Sequence, residues 1–287
     1  MKKMKHMKIS ISILFFICNT IAQAAEEYTI FNPVPDNALR TMATERPSKT
    51  DSPYSVDAGH IQIETNLLGY TKNDDCKNGL CTKTSQYEIG GFNTIRIGLT
   101  KRTDVQIVTD LYLNRLDEYS DGSSKQRNQG SGDTLVRFKY NVLGNNPSDK
   151  YSLGLLPYVK LATHRDNLGN NKVEYGIGVP FNINLTDEWS LGGMAVLSAI
   201  NDEQHQGYDF AYVSSLIIGK TITSNLRTYL EYFSYKAMQP GERFKNTVDI
   251  GLVYAINNNF SADINLHKGV TDAADDLKIF AGTAYRF

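Results

Sequence analysis

The segment Val173–Leu185, VEYGIGVPFNINL, puts Val173, Tyr175, Ile177, Val179, Phe181, Ile183 and Leu185 on one parity and Glu174, Gly176, Gly178, Pro180, Asn182 and Asn184 on the other. Successive side chains of a strand point to opposite faces, so this segment reads as a strand with one apolar and one polar face. Its length constrains the fold further. Strands of globular domains usually run about 5–6 residues, whereas a tilted strand that crosses a bilayer needs about 9–11.

The alternation recurs along the chain. Ile61, Ile63 and Leu67 alternate with Gln62, Glu64 and Asn66, and Ile95, Ile97 and Leu99 with Thr94 and Arg96. Val105, Ile107, Leu111 and Leu113 oppose Gln106, Asp110 and Asn114, while Val136, Phe138 and Tyr140 oppose Arg137 and Lys139. Further strands follow around Leu153–Leu161, Leu226–Tyr232, Val248–Tyr254 and Phe260–Leu266. Residues 191–218 hold two more, near Leu191–Ile200 and Phe210–Ile218, that are apolar on both parities, so the pattern does not set their register.

The connections alternate too. Short turns at Thr100–Asp104, Leu143–Lys150, Leu185–Trp189, Lys220–Asn225 and Ile256–Asn259 interleave with longer polar links at Thr71–Thr84, Arg115–Gly132, His164–Lys172, Asn201–Gly207, Lys236–Lys245 and Lys268–Asp276. Five short and six long connections join twelve strands. Such an all-β, up-and-down antiparallel arrangement, with turns at one end and loops at the other, predicts a transmembrane β-barrel. Lipid leaves no partner for a free strand edge, so the sheet must close. A secreted β-sandwich would have shorter strands.

Residues 1–24 read as a cleaved signal peptide. Lys2, Lys3, Lys5 and Lys8 precede the apolar run Ile9–Ala22, and Ala22-Gln23-Ala24 supplies the small-x-small cleavage pattern. Removing four of the 30 basic residues leaves 26 against 31 acidic ones, a balance with no basic patch for nucleic acid. The expected location is the bacterial outer membrane, with both termini periplasmic and membrane lipids around the wall. The last strand, Leu277–Phe287, ends on an aromatic residue and looks like the C-terminal strand that outer-membrane proteins offer to the barrel-assembly machinery.

Beyond the leader only Cys76 and Cys81 remain, framing Lys77–Leu80. In an oxidising compartment two thiols this close are expected to form a local disulfide; a metal site would need further ligands, and none are evident nearby.

On the polar parity, Glu88, Arg96, Asp110, Arg137, Lys139, Lys160, Glu174, Arg227, Glu231 and Asp263 are candidate lumen-lining residues, joined by Asp249, Lys278 and Arg286. They would brace the interior by pairing across strands, or line a conduction path and set its selectivity. Eight strands enclose a filled interior and sixteen an aqueous channel, so twelve predict a narrow or partly occluded pore. No cofactor, metal or reaction is expected. His60, His164, His205 and His267 lack the His-x-Ser arrangement of the outer-membrane phospholipase, and no serine adjoins them in sequence. The expected function is a channel or passive transporter for small solutes. The alternatives are a plugged structural or adhesin-type barrel acting through its extracellular loops and, third, a lipid hydrolase.

ERPSKTDSPYSVDAGHIQIE (Glu45–Glu64) closely resembles the lead-in segment of a bacterial outer-membrane transporter family named for the meta-pathway of phenol degradation. The resemblance continues through GSGDTLVRFKYNVLG (Gly130–Gly144), LLPYVKLATH (Leu155–His164) and GNNKVEYGIGVPF (Gly169–Phe181), in the family's order. Ala162 stands where the family usually has proline. The family name implies aromatic solutes.

The lead-in itself divides in two. From about Ala58 it is the first membrane strand. Before that, Pro47 and Pro53 keep the chain extended, and Arg46, Lys49, Asp51 and Asp57 supply charges for the barrel's rim or inner wall. The expectation is a periplasmic segment, residues 25–53, that docks in the lumen as a plug, ahead of a barrel spanning residues 54–287.

Overall fold

The structure is a computed structural model that describes residues 28–77, 80–119, 125–202 and 207–287. The expected signal peptide and His205 lie outside the described residues. Fourteen strands are present: β1 (Ile61–Lys77), β2 (Leu80–Thr100), β3 (Thr103–Thr109), β4 (Tyr112–Tyr119), β5 (Lys125–Gly130), β6 (Thr134–Leu143), β7 (Tyr151–Leu161), β8 (Glu174–Asn184), β9 (Trp189–Asp202), β10 (Gly207–Thr221), β11 (Leu226–Ala237), β12 (Lys245–Asn257), β13 (Phe260–Gly269) and β14 (Leu277–Arg286).

They make twelve staves, because two are interrupted. β3 and β4 both pair with β2, at Asn93–Thr100 and Thr82–Ile89 respectively, and so form one stave. β5 and β6 pair with β4 and β3 and form the next. Every pairing is antiparallel, neighbours in space follow neighbours in sequence, and β1 closes the barrel by pairing with both β14 and β2. The closed twelve-strand barrel expected from the alternation is the fold.

The interruptions have a local cause. Gly90 and Phe92 adopt positive φ (61° and 46°), so three residues of β2 face two on the neighbouring stave. Leu111 N–H donates to the Gly90 carbonyl, and the Asp110 carboxylate accepts from Phe92 N–H at 2.7 Å. Asp110 thus sits at the break between β3 and β4 and bonds to backbone, not on a continuous strand. Two expected links are mostly strand instead. Within Thr71–Thr84, β1 runs on to Lys77 and β2 starts at Leu80, and β4 and β5 occupy much of Arg115–Gly132. These stretches are polar on both faces and so carry no hydrophobic period. At the tip of the β1–β2 hairpin, Cys76 and Cys81 are joined by a disulfide.

β1 begins at Ile61, later than Ala58, because Ala58 and Gly59 form a turn in which Gly59 (φ 79°) donates its N–H to the Gly98 carbonyl. The register the sequence left open is set by pairing. Met194 lies opposite Ser215 and Gly192 opposite Ile217, all turned inward, while Leu197, Leu216 and Ile218 are exposed on the outside.

The exposed apolar residues form the outer band that lipid requires. Aromatic residues gather at both of its edges: Tyr151, Trp189, Tyr254, Tyr285 and Phe287 near the short turns, and Tyr87, Tyr175, Tyr208, Phe210 and Phe244 towards the long loops. The inside is the reverse of a soluble core. Its most buried large side chains include Arg96, Lys139, Gln62, Gln106, Glu64 and Glu231. Before β1, the described chain has no regular element except a 3-10 turn at Asp36–Ala38.

Candidate functional site: a strap across the lumen

Residues 28–60 enter the barrel at its short-turn end and leave by the same end. Thr29 bridges Thr100 and Ile30 N–H donates to Leu99 O, fixing the segment at the rim beside β2. Arg40 donates to Asp57 (2.6 Å), Ser55 O (3.0 Å) and Asn145 O (2.5 Å), tying the descending limb to the returning one. Between them residues 43–53 cross the lumen as a strap. Prolines at 47 and 53 leave no amide hydrogen to donate there, so strap-to-wall bonds come mainly from side chains and the remaining backbone.

The limb carrying Glu45 meets the wall formed by β1, β2, β3 and β6. Arg96, fully buried, lies within 3.0–3.2 Å of three carboxylates: Glu45 of the strap and Glu64 and Asp104 of the wall. Its Nη2 also donates to Tyr54 O (2.7 Å), and Lys139 pairs with Glu45 and donates to Ser52 O. Arg137 holds Asp51 at 3.0 Å. Burial alone would raise the Glu45 pKa, but the charges of Arg96, Lys139 and Arg137 outweigh it and hold this carboxyl well below its ordinary range.

On the opposite side the strap supplies the cations. Arg46 forms a two-pronged pair with Asp263 (2.7 and 2.8 Å) and also donates to Asn66. Lys49 reaches Asp249 (3.3 Å), while the backbone N–H groups of Lys49 and Thr50 donate to Glu231 at 2.9 and 2.8 Å. Nearer the rim, Asp57 binds Arg286 (2.8 Å), and His60 is 2.7 Å from both Val34 O and Phe287 O.

The sequence candidates thus divide by location. Arg96, Arg137, Lys139, Glu231 and Asp263 bind the strap. Glu88 pairs with Lys278 (2.9 Å) and accepts from Asn66 (2.6 Å) within the wall. Lys160 and Glu174 lie towards the long loops, where Lys160 joins Asp133 (3.0 Å) and Glu174 (3.1 Å) and His164 leans on Asp133 (2.9 Å). Arg227 faces the lumen apart from all of these. His267 packs edge-on against Phe280. Sequence reasoning did not single out Glu45 and Asp104, which complete the Arg96 cluster. Asp104 falls in the expected turn Thr100–Asp104, although it shares the lumen parity of Gln106; Glu45 has no periodic context at all.

The strap docks so closely that one wall position must be glycine. A methyl on Gly98 would collide with the carbonyl of Asp57. Gly98→Ala is therefore expected to destabilise the docked strap by about 1–3 kcal/mol through overpacking. Urea titration with proteolysis of the strap as readout checks this; unchanged protection would contradict the close fit.

The strap does not fill the lumen. A cavity of about 440 Å³ remains between its limb 43–54 and the inner faces of β8–β12, bordered by the short turns at Pro147–Ser148 and Thr186–Glu188.

A sequence model of the family described as "Putative MetA-pathway of phenol degradation" matches residues 44–287. No curated protein matches the sequence. Among solved structures, the COG4313 outer membrane channel from Pseudomonas putida F1 superposes with a TM-score of 0.58 at 13% identity, covering 85% of this chain and 100% of that one. The transport unit of the autotransporter AIDA-I from Escherichia coli gives 0.51 at 11% identity, over 86% and 93%. At such identities the likeness is one of fold.

Proposed function

The chain belongs to the MetA-pathway phenol-degradation family, and from that premise and the lumen geometry we propose that it is a passive outer-membrane channel for small solutes whose bore is narrowed by its own N-terminal strap. One observation carries the reading. The barrel wall is complete without the strap, and the strap fills part of a polar lumen while leaving a solute-sized cavity beside it.

The physical logic follows from the two surfaces. An apolar outer band between aromatic edges suits a wall set in lipid. The inner face is mostly polar, as a water-filled path requires, and its charges are largely cancelled by the strap, so a bulky hydrated ion meets a narrow route rather than a charged ring. The end carrying the short turns and the strap faces the periplasm in this reading, and the long loops face outward. Phe287, exposed and packed on Tyr285 with ring centroids 4.6 Å apart, is the contact offered to the assembly machinery. The family description suggests aromatic compounds as solutes. No reaction or cofactor enters this proposal.

Planar-bilayer recording of the purified protein tests it. Discrete conductance steps that scale with salt are expected. A correctly folded barrel that never conducts would instead favour a plugged barrel acting through its loops.

A further inference from the structure

Arginines inside the barrel are, with one exception, neutralised. Arg46 pairs with Asp263, Arg96 with three carboxylates, Arg137 with Asp51 and Arg286 with Asp57. Arg227, on the inward parity of β11, has no hydrogen bond or ion pair among the described residues, and its side chain remains accessible. It lines the cavity beside the strap.

The surroundings of that guanidinium define what it could hold. Tyr54, Ile217, Tyr229 and Val253 give the cavity apolar walls. The two hydroxyls are already engaged: Tyr229 donates to Asn265 (2.8 Å) and Tyr54 accepts from Asn182 (3.1 Å), so both tyrosines offer mainly ring surface. Asp51, the carboxylate that borders the cavity from the strap, is occupied by Arg137. Asp187 and Glu188 border the same cavity from an exposed turn that bonds to Thr221, the residue opposite Arg227, and neither forms an ion pair with Arg227. One uncompensated cation therefore faces a partly apolar space of about 440 Å³, within the range of about 300–1,000 Å³ usual for small-molecule sites.

We propose that this cavity is a binding site for a small organic monocarboxylate with an apolar body, its carboxylate taken by Arg227 and its body laid against Tyr54, Ile217, Tyr229 and Val253. A planar guanidinium presents a fork that matches a carboxylate with two parallel hydrogen bonds, and does so best where water is partly excluded. An uncharged analogue of the same shape would keep the apolar contacts and lose the charged pair. A cationic one would be repelled. The site thus extends the channel reading, on which it rests, from size to charge: the strap side of the lumen selects a monoanion.

Isothermal titration of the purified full chain in detergent, at low chloride, with sodium benzoate and with benzamide as probes, tests the site by equilibrium binding. Benzoate is expected to bind at least about tenfold more tightly than benzamide, the scale of one charged hydrogen-bonded contact. Arg227→Gln should bring benzoate down to the level of benzamide, and Arg227→Lys should retain part of the preference. Heat-dependent gel mobility establishes that each variant is a folded barrel, and the lysine variant keeps the test valid should the glutamine variant not fold. Equal affinity for the two probes, no heat with either, or an undiminished benzoate preference in Arg227→Gln would overturn the proposal. Because binding is read without ion flow, this outcome is independent of bilayer conductance, which tests the channel reading by itself.

Discussion

Replacing Arg96 with methionine is expected to undock the strap. Three carboxylates, Glu45, Glu64 and Asp104, share this guanidinium in a fully buried setting. Removing one partner of a buried ion pair typically costs about 3–5 kcal/mol, because the group left behind keeps its charge without its counterion. With Lys139 as the other cation of the cluster, the simplest relief is withdrawal of Glu45 and entry of water. Docking also protects trypsin sites, since Lys49 is held against Asp249 and Glu231. Wild-type protein should therefore resist cleavage between Lys49 and Thr50 while Arg96→Met is cut rapidly, with the barrel core intact. Arg96→Lys should fall between, because an ammonium cannot reproduce the fork that spans the three acids. Equal resistance in all three proteins would show that the cluster does not hold the strap.

Deleting residues 28–52 is expected to open the lumen without unfolding the wall. The strand ladder closes through β1–β14 and β1–β2 without residues 28–52, so deletion costs that ladder only the rim bridge of Thr29 to Thr100 and the Ile30–Leu99 bond. Ion pairs are lost on both sides: Lys139 and Arg137 lose Glu45 and Asp51, while Asp263 and Asp249 lose Arg46 and Lys49. The cost is smaller than for Arg96→Met, although more pairs are broken. Deletion admits water to every charge it strands, and a solvated ion needs no partner, whereas the point substitution strands charges in a dry site. The removed stretch contains Asp36, Glu45 and Asp51 against Arg40, Arg46 and Lys49, so its net charge is zero. Conductance should rise, then, with little swing in the ratio of cation to anion permeability. A strong swing would mean that the strap sets selectivity as well as bore.

The wall was legible in the sequence because a bilayer imposes the same period on every strand. Val173–Leu185 alone shows length, face and parity, and the alternation of short and long connections supplies the number of staves. Where one face does not meet lipid, that signal vanishes. The hairpin around Thr71–Thr84 is polar on both faces and reads as a loop, although its backbone is strand as far as Lys77 and again from Leu80. The break at Gly90–Phe92 depends on backbone conformation, which two adjacent glycines permit but do not announce. Charges on the lumen parity were readable one by one; their partners were not. Arg46 and Asp263 are 217 residues apart in sequence and meet only because the strap lies in the closed barrel. The isolation of Arg227 is likewise a property of the assembled lumen, since nothing in LRTYLEY distinguishes a free arginine from a paired one.

Whether a complete barrel is narrowed by a removable strap is decided by single-channel conductance of the full chain against the 28–52 deletion, in the same lipid and salt. Small, discrete steps are expected for the full chain and steps several-fold larger for the deletion, with both proteins showing the heat-dependent gel mobility of an intact barrel. Steps of equal size in the two proteins would contradict that narrowing.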